Sequence, residues 1–473
     1  MVVGDVTTGT DVLVVGAGPG GYVAAIRATQ RGLDVTLVER DAYGGVCLNR
    51  GCIPSKAYIT ATDIAHDAAT AEEMGIHADP AVDLAAMCGW KDDVVDRLTG
   101  GVQKLCKANG VRLVEGTAGF LDEETVRVER DGDREAETIS FERCIVATGS
   151  RPVELPGLPF GDDPILDSAA VLDLETVPDR LVVVGAGYIG MELSTVFAKL
   201  GSDVTVIETL DDVLPGYEDD VARVVRRRAE NLGIDFAFGE GATGWHESAD
   251  GGVVVTTETA GGEGSTHPAD RVLVAVGRDP VTDTLNAENA GLEPTDDGFF
   301  ETDERCRTDV DGIYAVGDVA GEPMLAHAAS AEGLVAAEAV AGDASALNTG
   351  AVPAAVFTDP EIATVGLTEA EAREVGFDPA VGEMPFTASG RALTRGETDG
   401  FVRVVADADG VVRGAQIVGP EASELIAELT LAVEMGATLE DVAATTHTHP
   451  TLSEAVMEAA ENVRGQAIHT LNR

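Results

Sequence analysis

The sequence is poor in positive charge, and above all in lysine. Its 473 residues include 83 aspartates and glutamates but 32 lysines and arginines, which leaves a formal net charge of −51. The lysines are Lys56, Lys91, Lys104, Lys107 and Lys199. Because such a surface repels nucleic acids and anionic membranes, we expect neither of them as a partner.

Long apolar runs and abundant cysteines are also missing. No run of about 18 uncharged apolar residues could span a membrane, and the first ten residues, MVVGDVTTGT, lack the features of a secretory signal. Six cysteines in so long a chain do not make a disulfide scaffold. We therefore expect a cytoplasmic protein of about two to four domains, in which any paired cysteines are redox-active.

What the sequence does contain is an internal repeat. Residues 11–39 (DVLVVGAGPGGYVAAIRATQRGLDVTLVE) align with residues 180–208 (RLVVVGAGYIGMELSTVFAKLGSDVTVIE). Each copy predicts an apolar strand, a Gly-x-Gly-x-x-Gly turn, an amphipathic helix and a second strand that ends in glutamate. The coinciding residues are Gly16 and Gly185, Gly18 and Gly187, Gly21 and Gly190, and Glu39 and Glu208.

This order of elements is suited to binding a dinucleotide. The first glycine makes a tight turn, the second lets a pyrophosphate approach the backbone, and the third lets helix and strand pack closely. The helix N-terminus offers N–H groups to the phosphates, and the terminal carboxylate accepts hydrogen bonds from ribose hydroxyls. Two copies in the same context predict two dinucleotides. Because a carboxylate at Glu208 would repel the 2′-phosphate of NADP, we expect NAD in the second copy.

A pair of cysteines follows the first copy, in the segment GGVCLNRGCIPSK (44–56). In a regular helix Cys47 and Cys52 would be about 7.5 Å apart along the axis, whereas a disulfide needs Cα atoms about 4.4–6.8 Å apart. The segment must therefore be distorted if the two thiols are to bond. Its position behind a nucleotide fold indicates a redox dithiol, and two unrelated buried thiols are the alternative. We expect the other four in the core: Cys88, Cys106, Cys144 and Cys306.

Further motifs extend the pattern along essentially the whole chain. They are ATGSRP (147–152), VAVGRDP (274–280), YAVGDV (314–319), FTDPEIATVGLTE (357–369) and HTHPTLSE (447–454). Together with the two glycine-rich turns and the cysteine segment, they resemble the motifs of the pyridine nucleotide–disulfide oxidoreductase family. Such a set is far more specific than any one of its members.

The resemblance implies an α/β fold with two Rossmann-like domains, for FAD and NAD, and an α+β C-terminal dimerisation domain. Residues 1–150 and 272–345 would form the FAD-binding domain in two parts, with the NAD-binding domain at 151–271 between them. The segment 341–350 is interpreted as a linker. Residues 351–473 would form the interface of a homodimer, with strands at FVRVVAD and VVRGAQIVG and a helix at EASELIAELTLAVEMG.

The resemblance also assigns residues to the two cofactors. For FAD these are Gly16, Gly18, Gly21, Glu39, Lys56, Ala118, Gly149, Asp318 and Ala326, of which Asp318 would hold the ribityl chain. For NAD they are Gly185, Gly187, Tyr188, Gly190, Glu208 and Gly277. Lys56 and Glu192 match a lysine–glutamate pair beside the reactive edge of the flavin.

Four residues depart from the usual pattern of the family's dihydrolipoyl-oxidising branch: Tyr188, Arg50, Val46 in place of a common threonine, and Ala328 in place of a lysine. Tyr188 replaces an aliphatic residue and resembles the tyrosine lid of glutathione reductases. Arg50 replaces a common valine between the two cysteines. We expect Arg50 to affect either the stability of the thiolate or the charge preference for the substrate.

The last motif carries the proton chemistry. His449 and Glu454 would form a base and the carboxylate that orients it. In this family the base acts on the dithiol of the other subunit, which implies an obligate homodimer with shared active sites. A metal pair formed by His447 and His449 is the alternative, but further ligands are missing nearby, so we expect no metal.

The branch of the family that the sequence resembles oxidises dihydrolipoamide, or a dihydrolipoyl protein, with NAD⁺. The catalytic residues would be Cys47, Cys52, His449 and Glu454, with Lys56 and Glu192 beside the flavin. One alternative is an NAD(P)H-dependent reductase of another small disulfide, similar to glutathione reductase. Another is a mainly structural subunit of a 2-oxoacid dehydrogenase complex, which is also a possible partner.

The net charge predicts adaptation to a salty cytoplasm. At molar salt the Debye length falls to about 3 Å, so that repulsion among surface carboxylates is screened. We expect the melting temperature to fall when the protein is transferred from molar KCl to dilute buffer. A melting temperature that is unchanged between the two conditions would contradict this interpretation.

Overall fold

The computed structural model describes residues 6–130, 136–161, 164–248, 251–347 and 349–472. Residues 1–5 lie outside the described residues, as does Asn348, which belongs to the predicted linker 341–350. The strands are, in chain order, β1 (Val6–Val15), β2 (Val35–Glu39), β3 (Arg112–Glu115), β4 (Thr117–Asp122), β5 (Thr125–Glu129), β6 (Glu137–Val146), β7 (Ser150–Pro152), β8 (Ile165–Leu166), β9 (Arg180–Val184), β10 (Asp203–Glu208), β11 (Asp235–Phe238), β12 (Glu240–Glu247), β13 (Val253–Thr259), β14 (Gly264–Ala269), β15 (Arg271–Val274), β16 (Arg278–Pro280), β17 (Ile313–Ala315), β18 (Ala354–Val356), β19 (Glu361–Gly366), β20 (Ala380–Pro385), β21 (Phe401–Ala406) and β22 (Val412–Gly419).

The helices connect these strands or cover the sheets. They are α1 (Pro19–Gln30), α2 (Gly45–Asn49), α3 (Cys52–Thr70), α4 (Leu84–Ala108), α5 (Ser168–Val171), α6 (Tyr188–Lys199), α7 (Asp219–Asn231), α8 (Ala326–Val340), α9 (Glu369–Glu374), α10 (Gly390–Arg395), α11 (Ala422–Met435), α12 (Leu439–Ala444) and α13 (Glu454–Val463). In the described part of the chain, no helix is both long and apolar enough to cross a membrane.

The first sheet contains the first copy of the repeat. Its order is β3-β2-β1-β6-β5-β4, and β17 pairs in parallel with β6. Strands β1, β2 and β3 are parallel, whereas β4 and β5 add an antiparallel extension. All five residues of β2 are buried, as expected for a strand covered on both faces. Because β17 comes late in the chain, this sheet is built from two distant segments.

The second sheet contains the second copy. Its order is β11-β10-β9-β15-β8, and all its pairs are parallel. An antiparallel meander, β12-β13-β14, follows β11 in the chain. The predicted strand–turn–helix–strand unit is confirmed in both copies, as β1-α1-β2 and as β9-α6-β10. Because β15 belongs to this sheet, we propose that the second unit extends through Val274 rather than ending at residue 271.

The C-terminal sheet is antiparallel throughout, with the order β18-β19-β22-β21-β20. Its core packs strand side chains such as Val402 and Ile417 against Ile426 and Leu429 of α11 and Val456 of α13. The strands and the helix predicted in this region are confirmed as β21, β22 and α11.

Helices α1 and α8 approach so closely that their crossing requires glycine. A Cβ atom on Gly333 would lie 2.4 Å from the backbone oxygen of Gly20, and the contact is with backbone that cannot turn aside. This crossing fixes α1 against α8, the helix that follows β17 in the chain. The N-terminus of α1 faces the site described below.

We expect Gly333→Ala to lower the melting temperature. Overpacking at a backbone contact costs about 1–3 kcal/mol. This cost exceeds the stability gained from the higher helix propensity of alanine. Gly89→Ala in α4 is the matched control, because a Cβ there meets nothing within 4 Å. The control should raise stability by about 0.5–1 kcal/mol. Equal effects of the two substitutions on thermal unfolding would contradict the close crossing.

Candidate active site

The two glycine-rich turns and the cysteine segment open into one cavity of about 1460 Å³. Its wall includes Gly16 and Gly18 from the first turn and Gly185 and Gly187 from the second. The predicted residues that also line it are Glu39, Cys47, Cys52, Lys56, Ala118, Gly149, Tyr188, Glu192, Glu208, Gly277, Asp318 and Ala326. Sequence-distant segments therefore converge on a single site.

The glycines of both turns are required by backbone geometry. Gly16 and Gly185 have φ values of +102° and +103°, and a Cβ on either would lie 2.2 or 2.5 Å from a facing carbonyl oxygen. Gly21 and Gly190 do not line the cavity. A Cβ on them would come within 1.9 and 2.0 Å of the oxygens of Gly16 and Gly185. The third glycine thus closes helix onto turn, as the motif predicts.

The carboxylates of Glu39 and Glu208 accept hydrogen bonds from the backbone of the two glycine-rich turns. Glu39 accepts the N–H of Ala17 at 2.6 Å, and Glu208 accepts the N–H of Ala186 at 2.8 Å. Both residues are buried, with 9% of their surface exposed. The sequence predicted contacts to ribose for these acids but not this bond to the turn, which follows from their place at a strand end beside the first glycine.

The cysteine segment is a broken helix. Helix α2 ends at Asn49, Arg50 and Gly51 are not helical, and α3 begins at Cys52. This break provides the distortion that the spacing of the cysteines demands. Gly45, with φ of +61°, lies against the first dinucleotide turn, since a Cβ on it would lie 2.5 Å from Gly18 Cα. The dithiol is therefore packed directly on the first turn.

The two thiols differ in acidity. Cys47 donates a hydrogen bond to Cys52, which lowers the pKa of Cys52 to about 7, with the nearby charge of Lys56 acting in the same direction against burial. The same hydrogen bond, together with burial, raises the pKa of Cys47 well above its ordinary value. Above about pH 7 the dithiol state is therefore expected to hold a thiolate at Cys52 and a thiol at Cys47.

Lys56 and Glu192 form an ion pair at the cavity wall. Lys56 Nζ lies 2.8 Å from Glu192 Oε2, and Glu192 is buried whereas Lys56 remains partly exposed to the cavity. The second carboxylate oxygen accepts the backbone N–H of Phe357 at 2.9 Å. The ring of Phe357 lies under the ammonium, 4.5 Å from Nζ to the ring centroid. Sequence reasoning found the pair but missed Phe357, although its motif was recognised.

Asp318 is held by a network that the sequence did not reveal. It accepts a hydrogen bond from the hydroxyl of Ser150. Arg278 donates from Nε to that hydroxyl oxygen at 2.7 Å and from Nη2 to the backbone oxygen of Ser150 at 2.8 Å. The motifs ATGSRP, VAVGRDP and YAVGDV thus meet at one point.

Tyr188 and Arg50, two of the departures from the family pattern, both lie at the cavity. Tyr188 is the first residue of α6, and its side chain is 43% exposed at the cavity wall. Arg50 also lines the cavity, and its guanidinium is paired with Asp41. The effect predicted for Arg50 on the thiolate or on the substrate would therefore be moderated by the carboxylate of Asp41.

His449 and Glu454 are paired, but away from the cavity. His449 Nδ1 lies 2.9 Å from Glu454 Oε1, and its side chain is 81% exposed. Glu454 also accepts the N–H of Thr451 at 2.9 Å. Partial burial works against a low pKa for Glu454, but these hydrogen bonds bring the pKa below its usual range. Within one chain the dithiol and this pair are not brought together.

The other histidine of the last motif, His447, has a local partner, and the cysteines outside the dithiol segment are buried. His447 lies 2.9 Å from a carboxylate oxygen of Glu428, so it packs locally rather than pairing with His449. Burial raises the pKa of Cys106 to about 11 and that of Cys144 further.

Within the described ranges, one group could hold a metal ion by ligand spacing, formed by Cys88, Asp92 and Asp173. The ammonium of Lys91 already lies 3.0 Å from Asp92 and 2.6 Å from Asp173. The positive charge between these two carboxylates is therefore supplied by a lysine side chain.

Two dinucleotide-binding turns that share a cavity with a dithiol define an α/β oxidoreductase of the disulfide-exchanging class. Residues 10–333 match the model of the pyridine nucleotide-disulphide oxidoreductases, and residues 352–460 match the dimerisation domain of the same family. The chain belongs to this family. It is a flavoprotein enzyme with FAD and NAD as cofactors, and the dimerisation domain supports a homodimer.

Curated relatives share its full length. The chain is 69% identical to a dihydrolipoyl dehydrogenase of Haloferax volcanii and 66% identical to one of Halobacterium salinarum, with 100% of each chain covered. It is 50% identical to that of Geobacillus stearothermophilus, again over 100% of both chains. The relatives from Haloferax and Halobacterium agree with the halophilic interpretation of the net charge.

Solved structures share the fold. LpdA from Mycobacterium tuberculosis superposes with a TM-score of 0.89 at 28% identity, covering 96% of this chain and 99% of that one. The HOCl-induced flavoprotein disulfide reductase RclA from Escherichia coli, as its Cu(II) complex, gives 0.86 at 26% identity, with the same coverage.

The unequal acidity of the two thiols predicts a distinct pH profile for alkylation. In the reduced holoenzyme, iodoacetamide should modify Cys52 at a rate that rises through pH 7 and then levels off, because the thiolate forms above the pKa. Trypsin separates the thiols by cleaving after Arg50, so mass spectrometry can follow each one. In Cys47→Ala the midpoint for Cys52 should rise by about one unit or more, whereas Cys47→Ser retains a hydrogen-bond donor. A rate that keeps rising past pH 9 in the unmodified protein would contradict the assignment.

Proposed function

We propose that this chain oxidises dihydrolipoyl groups to the cyclic disulfide, with NAD⁺ as the final electron acceptor. The observation that carries the proposal is the dithiol, with its lysine–glutamate pair, between two dinucleotide turns in one cavity. Several full-length relatives are named dihydrolipoyl dehydrogenase. The Cys47 and Cys52 pair supplies the thiol exchange, and Glu208 favours NAD over NADP.

The residues of the first unit fit FAD. The strained glycine turn and the α1 N-terminus, which has Gly18 as its cap residue, leave room for a pyrophosphate. Gly16 and Gly18 would bind the phosphates, Glu39 the adenosine ribose and Asp318 the ribityl chain. Bound FAD would supply two-electron redox chemistry between the dithiol and the nicotinamide. Gly21 contributes by packing, while Ala118, Gly149 and Ala326 shape the wall.

The residues of the second unit fit NAD. Gly185 and Gly187 repeat the geometry of the first turn, and Glu208 would bind the adenosine ribose. Tyr188 and Gly277 face the cavity between the two turns, where a nicotinamide would lie. Tyr188 would have to turn aside for the nicotinamide to enter.

The chemistry of this chain begins with proton removal. His449, oriented by Glu454, takes a proton from one thiol of the dihydrolipoyl group. The resulting thiolate attacks Cys47 of the oxidised Cys47–Cys52 disulfide, which forms a mixed disulfide and releases Cys52 as a thiolate. The second substrate thiol then attacks the substrate sulfur of the mixed disulfide and closes the lipoyl ring, while Cys47 leaves with the proton held by His449 and His449 takes the proton of the second thiol. The substrate has lost two electrons and two protons, and the enzyme holds the Cys47 thiol, the Cys52 thiolate and a protonated His449.

Lys56 and Glu192 support the charge that this exchange produces. The ammonium stabilises the Cys52 thiolate, and the buried carboxylate keeps the ammonium in place. The higher acidity of Cys52 makes it the better leaving group when Cys47 is attacked. The polarity of the exchange, with Cys47 as the attacked sulfur, therefore agrees with the electrostatics of the pair.

The position of His449 favours a shared active site. Its side chain is exposed and outside the cavity of its own chain. We infer that a homodimer places His449 of one protomer at the dithiol of its partner. The substrate is then either free dihydrolipoamide or the dihydrolipoyl group of a 2-oxoacid dehydrogenase complex, and the protein acts in the cytoplasm.

The test is an assay of the purified holoenzyme in molar KCl. Dihydrolipoamide should reduce NAD⁺ rapidly and NADP⁺ poorly, and Cys47→Ser and His449→Gln should each lower turnover by about a hundredfold or more. Activity only with NADPH and another disulfide would overturn the substrate and the role of Glu208.

Hybrid dimers provide the control for the shared site. Mixing Cys47→Ser with His449→Gln, under conditions that exchange subunits, should restore activity because one site in each hybrid is intact. Thr451→Ser serves as a matched substitution near the base and should leave the rates close to those of the unmodified protein.

A further inference from the structure

A second ion pair lies between the same two helices as Lys56 and Glu192. In α3, Asp63 follows Lys56 by seven residues, and in α6, Lys199 follows Glu192 by seven residues. This is about two helical turns in each helix. Lys199 Nζ lies 2.7 Å from Asp63 Oδ1. The charges are reversed, because α3 supplies the lysine of the first pair and the acid of the second.

Both pairs are also tied to one short segment that follows β18. The backbone N–H of Phe357 donates to Glu192 of the first pair at 2.9 Å. Two residues later, Asp359 Oδ2 lies 2.8 Å from Lys199 Nζ of the second pair and 3.2 Å from Arg228 Nη2. Each pair therefore joins α3, α6 and the start of the C-terminal sheet.

The lysine of the second pair is buried and its acids are partly exposed, whereas the first pair has the opposite arrangement. The side chain of Lys199 is 4% exposed, whereas that of Lys56 is 30% exposed. Burial opposes the charge of Lys199, but Asp359 and Asp63 raise its pKa above the ordinary value. A buried ion cluster of this kind is a weak source of stability but restricts how its elements can be arranged.

We propose that Asp63, Lys199 and Asp359 are positioning residues for the dithiol reaction. They fix α3 against α6 and so hold the Lys56 ammonium beside Cys52, which begins the same helix. The inference rests on the proposed role of the Cys52 thiolate, and it extends that role to a cluster two turns away from the cavity.

Lys56 stabilises the thiolate of Cys52 only while its ammonium is held in place. Glu192 and the ring of Phe357 hold that ammonium, and both depend on the placement of α6 and the 357–359 segment. When the second pair is weakened, α3 gains freedom against α6, and the flexible Lys56 side chain samples positions farther from the sulfur. The thiolate is then less stable, so that Cys52 requires a higher pH to ionise.

Other ionisable groups face the two ends of this arrangement. Around Cys52 they are Cys47 from α2, Lys56 from α3, and Glu192 and Tyr188 from α6. Around the second pair they are His66 and Asp67 from α3, Arg228 from α7, Asp359, and Glu361 from β19.

Asp63→Asn is the informative substitution because its two possible effects have opposite signs. Loss of one negative charge would by itself lower the pH midpoint for ionisation of Cys52. Loss of positioning raises that midpoint, and we expect a rise of about half a unit to one unit. The readout is the pH profile of Cys52 alkylation in the reduced holoenzyme, followed on the tryptic peptide 51–56. Where Asp63→Asn does not fold, Asp63→Glu keeps the charge, misplaces the carboxylate and should shift the midpoint in the same direction.

Asp220→Asn is the matched structural control. Asp220, at the start of α7, pairs with buried Arg403 of β21, which also contacts Glu218 at 2.7 Å. This cluster joins the second unit to the C-terminal sheet without contacting α3. Asp220→Asn should lower the melting temperature by an amount similar to Asp63→Asn but leave the Cys52 midpoint unchanged.

A double substitution tests the route of the effect. In a Glu192→Gln background, Asp63→Asn should add no further shift, because both act through Lys56. The proposal is overturned if Asp63→Asn lowers the midpoint or leaves it unchanged, or if the two shifts simply add. Since lipoyl turnover is not measured, a different substrate for the enzyme would not change this outcome.

Discussion

The contact between Lys56 and Glu192 is the constraint on which the site depends. It joins the helix that begins at Cys52, the helix that follows the second dinucleotide turn, and, through Phe357, the C-terminal sheet. A displacement of any of these three parts would move a charge relative to the Cys52 sulfur. The reactive thiolate is thus stabilised by the way the units are assembled and not by one unit alone.

The extent to which the site could be predicted follows from the range of each interaction. The glycine turns and the broken helix between Cys47 and Cys52 were predictable because their causes are local, in φ angles and spacing. The bonds from Glu39 and Glu208 to the turns needed the sheet register. The contact of Asp63 with Lys199 spans 136 residues and has no motif, so a single sequence could not reveal it. His449 could be paired with Glu454, but its approach to a dithiol depends on a second chain.

Two kinds of charge coexist in this protein. The surface carboxylates are numerous and exposed, so molar salt screens their repulsion. The ion clusters around Lys199 and Arg403 have buried cations and partly exposed acids, and their interactions are screened less than those at the open surface. A chain with this composition can therefore change its overall stability with salinity while the geometry between its units stays fixed.

The distribution of lysines has a practical consequence. Lys91 and Lys199 are buried in ion pairs, and Lys56 faces the cavity, whereas Lys104 and Lys107 are exposed close together near the end of α4. Reagents that couple to side-chain amines would therefore react with each protomer mainly at Lys104 and Lys107. Immobilised in this way, each homodimer would attach to a support or electrode through one of two equivalent spots, and so in a restricted set of orientations.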